Sequence, residues 1–404
     1  MEPNSSGIRK VPLISRNVQL TSECFFLLLL GLIWSQSVLV AYFKAILMRL
    51  PYITHAREYI IAFIFLMALI LALPYMAKRV SPWLILTYIA VVVVYLLNFF
   101  FYPNNRTALE ANMVPFLCRS LPLVFIGVSI DLQKHYKFLY YVSLVSAVCA
   151  IVRTLINPVN MEEGDMYSAY VLLPHVCMVM VAALERKKSW DIIVSLVGAF
   201  TIMAFGTRGP ILCMISLLVL YMLMYHKIYK HIWFTGAVVV FAVLVVFLYE
   251  ETLLQIRWLV EQIGMSTRVV DLMLSGEFAE STGRNRIFAL LFEAISQNPL
   301  GYGIAGDRLL AGSYSHNVLI ELWVSFGVFT GTLVFVVPII CTVKLMIQRK
   351  SNRIMEDNFI LVLIVSSYIK LFLSGTYLTE SLLYLLIGIL ISAYVKDKRE
   401  SNIM

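Results

Sequence analysis

VSPWLILTYIAVVVVYLLNFFFY, residues 80–102, carries no charged side chain. As a helix it is long enough to cross a hydrocarbon layer of about 30 Å. In lipid a spanning backbone must satisfy its own hydrogen bonds, so such a stretch is read as a transmembrane helix. The rest of the chain agrees. Hydrophobic residues make up 60% of 404, charged residues 14%, and mean hydropathy is +0.84, more apolar surface than a water-soluble core can hide. The net charge of +8 sits in short patches between long uncharged runs. That distribution sets membrane topology and excludes nucleic acid as the expected partner.

Outward from residues 80–102, similar segments predict an all-α, polytopic integral membrane protein of about twelve spans: 23–43, 59–77, 80–102, 111–130, 136–155, 166–184, 192–205, 210–225, 232–249, 318–343, 358–373 and 377–395. The fourth is the least regular, with Arg119 at its middle and Pro115 and Pro122 on either side. Keeping it gathers Lys78, Arg79, Lys134, Lys137, Arg186, Lys187 and Lys188 on one side with both termini, which predicts a cytoplasmic N- and C-terminus. The first apolar run follows more than twenty residues and has no small-residue cleavage pattern, so it reads as a retained span. Residues 1–249 then form an N-terminal bundle, 250–315 a long extracytoplasmic loop with short helices, and 316–404 a C-terminal set of about three spans. Cys24, Cys118, Cys149, Cys177, Cys213 and Cys341 lie in apolar runs and imply no disulfide framework. The two halves show no internal repeat.

Every cation of the long loop is an arginine: Arg257, Arg268, Arg284, Arg286 and Arg308. A guanidinium is a planar fork that grips phosphate oxygens in pairs, whereas an ammonium acts as a point charge, so the set suits a diphosphate. The alternative is pairing with the loop's own carboxylates. Ser281-Thr282-Gly283 reads as the lead-in to a helix in which Ile287, Leu290, Leu291, Ala294 and Ile295 recur at helical spacing until Asn298-Pro299. Arg284 and Arg286 thus fall in a first turn, where the helix dipole disfavours positive charge unless an anion binds there. Ion pairs to Glu277 or Glu280 would also serve. Gly301-Tyr302-Gly303-Ile304-Ala305-Gly306 spells G-x-G-x-x-G but follows a helix terminator and not a strand, so it predicts a tight turn towards the membrane and no dinucleotide site.

His316 is the loop's only histidine. A neutral imidazole can take a proton from a sugar hydroxyl near neutral pH, and an interfacial structural role is the alternative. Asn317 and Glu321 share a helix face and are candidates for orienting the region. Gly327 and Gly331 predict a close helix contact. Ionisable groups in or beside spans are costly and so draw notice: Arg119, Arg208, Lys370 and Glu380. Arg208 lies at an outer turn where a lipid headgroup would sit or where it would snorkel, and Lys370 and Glu380 are placed to pair with each other.

These stretches resemble the O-antigen polymerase and ligase superfamily of bacterial envelope glycosyltransferases. The resemblance rests on Gly206-Thr207-Arg208-Gly209, on Gly283-Arg284 with Asn298-Pro299 and Gly301-Tyr302-Gly303 after it, and on His316-Asn317 leading into Gly327 and Gly331. It covers about residues 200–335. It implies a GT-C-like fold in a bacterial cytoplasmic membrane and action without metal or other cofactor on a sugar chain carried by undecaprenyl diphosphate. It also suggests Arg208 and Arg284 as diphosphate-binding groups, Arg286 as a weaker third, and His316 as the base that activates the acceptor. Partners implied are the lipid-linked oligosaccharide, the bilayer, a chain-length regulator and a flippase. Polymerisation of repeat units, as O-antigen or capsule, is the expected activity. A ligase would use the same residues with a different final acceptor. A secondary transporter or lipid-linked sugar flippase is the rival from another class, and a structural envelope subunit a third.

Overall fold

The computed structural model describes residues 21–36, 38, 56–156, 166–205, 207–225, 249–262, 267–275, 284–348 and 354–401. The expected span at 232–249, the lead-in Ser281-Thr282-Gly283 and the carboxylates Glu277 and Glu280 lie outside them, apart from Tyr249. The described residues are helical with no strand. Two compact units divide at Pro82. In the first, α1 (Thr21–Gln36) and α2 (Ala56–Met76) meet through Phe26 and Tyr75, whose rings stack at 4.7 Å. The Arg79 guanidinium lies 3.9 Å from the centre of the Tyr75 ring.

The second unit begins with α3 (Pro82–Phe101), which bears out the opening stretch as a helix. Only 11% of its most apolar window is buried, and Trp83, Phe100 and Phe101 are more than two-thirds exposed. Apolar side chains turned outwards in this way are matched by a lipid solvent. α4 (Arg106–Met113) runs through a π-helical stretch (Val114–Ser120) into α5 (Leu123–Ser129). α6 (Leu132–Ile156), α7 (Met166–Arg186), α8 (Ser189–Ala204) and α9 (Arg208–Tyr225) follow. Among the described residues, four segments are long and apolar enough to cross a membrane: Pro82–Phe101, Pro103–Ser129, Leu132–Leu155 and Met166–Arg186. Six shorter apolar helices accompany them: Thr21–Gln36, Phe63–Met76, Ser189–Ala204, Arg208–Met224, Val328–Lys344 and Ser381–Val395. The most enclosed of these four is α7, 67% buried over its window.

The loop region contains α10 (Tyr249–Gln262), α11 (Arg268–Leu274), α12 (Arg284–Gln297) and α13 (Gly306–Ala311). α12 starts and stops where its sequence pattern requires, and it buries Leu291, Ala294 and Ile295. Leu290 belongs to the expected stripe but is 41% exposed. Leu291 and Ile295 pack with Ile320 and Val324 of α14 (Val318–Phe326), which seats the loop on the membrane helices.

The expected continuous span at 318–343 is corrected. The chain breaks at Gly327, whose φ of 82° and ψ of 163° are open to glycine and to few other residues, and resumes as α15 (Val328–Gln348). The Gly327/Gly331 pair makes its expected close contact across this break. Gly331 lies against the Leu322 backbone, and Gly327 against the carbonyls of Pro299 and Leu300. Val328 N–H donates to the Pro299 carbonyl at 2.9 Å and Tyr302 N–H to that of Val324 at 2.7 Å. The Asn298–Gly303 turn is thereby strapped to the break, as a tight turn towards the membrane should be. From the other side, the Asn105 amide donates to the carbonyls of Tyr302 (2.8 Å) and Ile304 (3.1 Å), and Ile304 N–H donates to Asn98 at 2.9 Å.

α16 (Ile354–Ile364), a second π-helical stretch (Val365–Ile369), α17 (Lys370–Leu373) and α18 (Ser381–Ser401) complete the chain. α5 and α18 approach until Gly127 and Gly388 face each other; a Cβ on either would strike the other helix's backbone. Small residues allow such close approach where hydrophobic burial cannot drive helices together.

Candidate functional site

His316 sits in the short turn between α13 and α14 with φ of 57°. Its imidazole is half-buried, stands 4.1 Å from the Tyr314 ring, and has an unpartnered, buried Nδ1. Burial holds its pKa below the ordinary 6.5, and the positive charge of Arg284 pushes it further in the same direction. A neutral ring is a proton acceptor. Asn317 follows as the N-cap of α14, its side-chain oxygen accepting from the backbone N–H of Leu319 (3.0 Å) and Ile320 (3.3 Å). Asn317 is thus a helix cap, which satisfies the first turn and fixes the exit from His316.

Arg284 opens α12 and is partly exposed. Its charge is felt both at His316 and at the Tyr170 hydroxyl of α7. Tyr170 lies so close to Gly209 that a Cβ there would overlap the phenol. Gly209 is next to Arg208, the first residue of α9, so residues 207–209 border the same corner, Gly206 of the motif lying outside the described residues. Lys370 closes it. Its Nζ lies 5.2 Å from the centre of the Tyr170 ring and 2.5 Å from Glu380 Oε2, the pairing anticipated from their spacing. Tyr314 also acts electrostatically on Tyr170. Five segments distant in sequence therefore converge: the start of α7, the turn before α9, the start of α12, the 312–317 turn and the 370–380 stretch.

The structure does not bring every candidate to this corner. Arg286, two residues beyond Arg284 and so on another side of α12, is exposed. Arg119 is exposed on the π-helical stretch before α5, and the groups around His316 come from other segments. Two loop arginines are engaged by carboxylates, the alternative left open for the set. Arg257 pairs with Asp271 at 2.9 Å. Arg308 donates to Asp307 (2.7 Å), Glu321 (3.3 Å) and Thr376 (2.8 Å).

Glu321 is fully buried as the centre of this second cluster, accepting from Arg308, the Thr376 hydroxyl and the Tyr377 N–H. Asp307 is also 0% exposed. Burial raises its pKa while Arg308 and the Ser315 N–H pull it down, and the net direction is up. Burial alone would lower Arg308, but Asp307 and Glu321 outweigh it and hold the guanidinium charged. Sequence reasoning missed Tyr170, Tyr314, Asp307 and Thr376. Only the adjacency Asp307-Arg308 was a local signal.

Beside this cluster runs an apolar groove of about 310 Å³ between α3, α5, α14, α15 and α18. Val318, Leu322 and Phe326 line it at four-residue intervals down one face of α14, so one end lies within two residues of His316. None of its lining residues is charged. Among the described residues no three His, Cys, Asp or Glu side chains gather as a metal site.

Residues 193–336 match the family model described as O-antigen ligase. The match supports the O-antigen polymerase and ligase superfamily, and it takes in the Arg208 turn, Arg284, His316 and the α14–α15 hairpin. No curated protein and no solved structure matches the chain.

Proposed function

We propose that this protein is a membrane glycosyltransferase that polymerises undecaprenyl diphosphate-linked repeat units into a surface polysaccharide, without a metal, at the outer face of a bacterial cytoplasmic membrane. The reading is carried by a half-buried imidazole kept neutral first by burial and then by the charge of an arginine at a helix start, whose charge also acts on Tyr170 beside the turn that opens α9. The acceptor sugar hydroxyl attacks the anomeric carbon and gives its proton to His316. The bond from that carbon to the diphosphate oxygen breaks, and the electron pair leaves with the diphosphate. Arg284 and Arg208 stabilise the growing negative charge. Asn317 fixes the turn that carries His316, and Arg286 is available only to a substrate extending beyond the cluster. The groove along α14 offers a hydrocarbon path from the same corner for the carrier's prenyl chain.

The description of the matching family favours a second reading, a ligase that passes a finished chain to a final acceptor. Lipid-linked intermediates distinguish them. A deletion strain complemented with His316→Ala or Arg284→Ala is expected to accumulate single repeat units on the carrier at the outer face. Accumulation of full-length lipid-linked polymer would establish the ligase reading. Normal polymer in both variants would remove these residues from the mechanism.

A further inference from the structure

The Asp307–Arg308–Glu321–Thr376 cluster takes no part in the chemistry proposed above, yet Asp307, Glu321 and Thr376 are buried and Arg308, 15% exposed, connects all three. Asp307 Oδ2 accepts the Ser315 N–H at 2.9 Å, and Ser315 Oγ donates to the Asn317 carbonyl at 2.8 Å. His316 stands between these two anchored neighbours with φ of 57°, a conformation that a non-glycine residue keeps where its surroundings over-determine it. Arg308 joins this turn to the membrane helices: one guanidinium reaches the Asp307 and Glu321 carboxylates and the Thr376 hydroxyl. The Leu378 N–H donates to that hydroxyl at 3.3 Å and the Tyr377 N–H to Glu321 at 3.2 Å. The 374–380 segment so held also carries Glu380, the partner of Lys370 beside Tyr170.

We infer that Asp307, Arg308 and Thr376 are positioning residues, whose buried network holds His316 in its strained turn and ties that turn to the segment bearing Glu380. The placement stands on geometry alone; only its kinetic consequence rests on the reading of His316 as the base.

The test uses the full-length protein in phosphatidylethanolamine–phosphatidylglycerol vesicles, with Asp307→Asn, Arg308→Lys and the shape-conserving Thr376→Val. Carbethoxylation of His316 by diethyl pyrocarbonate is followed by peptide mass. Each variant is expected to be modified about 10-fold faster than wild type as the turn opens locally. The buried His135 and His175 act as internal controls whose rates stay unchanged. In chain-extension assays kcat is expected to fall about 10- to 100-fold while KM stays within about two-fold, because displacement of a catalytic group slows the chemistry more than binding. A wild-type modification rate at His316 in Asp307→Asn and Thr376→Val overturns the inference, as does equal acceleration at His135 and His175. Turnover at the wild-type rate despite faster modification overturns the kinetic consequence, and with it the reading of His316 as the base, while the placement stands. The modification arm decides the placement even if chain extension is not this protein's activity.

Discussion

Two neighbours act on His316 in the same direction. Burial disfavours the imidazolium, and Arg284 repels it, so the ring is neutral at pH values where an ordinary histidine is already partly charged. The base form is lost only as pH falls through this lowered pKa. The acidic limb of His316 reactivity with diethyl pyrocarbonate is therefore expected below about 6.5, the unperturbed midpoint. Arg284→Gln removes one of the two causes and should move that limb upward; an unmoved limb would mean that the two side chains do not face each other. Both residues were legible in the sequence, His316 because no other histidine lies in the loop and Arg284 because it opens an apolar-periodic helix. Arg308 was not. It looks like the other four loop arginines, and its decisive partner Thr376 lies 68 residues away. Tyr170 was hidden for the same reason, on a span whose apolar pattern says nothing of which face meets Arg284.

At the scale of elements, glycine positions decide where the site sits. Gly301 and Gly327 bring two backbones together, and Val328 N–H and Tyr302 N–H close the strap between the loop and the α14–α15 break. The sequence announced tight turns at 301–306 but read 318–343 as one span, because hydropathy averages over a single-residue break. Gly327→Ala would force a side chain into a glycine conformation and against the Pro299 carbonyl, 2.7 Å from the added Cβ. It is expected to destabilise the fold by roughly 1–3 kcal/mol or more, visible as a lower melting midpoint in detergent. An unchanged midpoint would show that the hairpin can re-form around an alanine. The Gly127/Gly388 crossing of α5 and α18 was not signalled at all: single glycines in separate apolar runs carry no pattern until the helices are paired.

For the whole molecule, composition and hydropathy were sufficient for the class. Helices such as α3, apolar and yet largely exposed, are what a lipid solvent allows. Composition could not assemble the corner where α7, α9, α12, the 312–317 turn and the 370–380 stretch meet, since that meeting depends on helix order around the bundle. The function proposed for this corner is transfer of a sugar chain from a prenyl diphosphate. Purified protein in lipid vesicles, given a synthetic undecaprenyl diphosphate-linked repeat unit, tests it most directly. Wild type is expected to give lipid-linked products of two and more repeats, and His316→Ala about a 10²-fold or greater loss, the size that removal of a general base produces. Equal product from wild type and His316→Ala would contradict it.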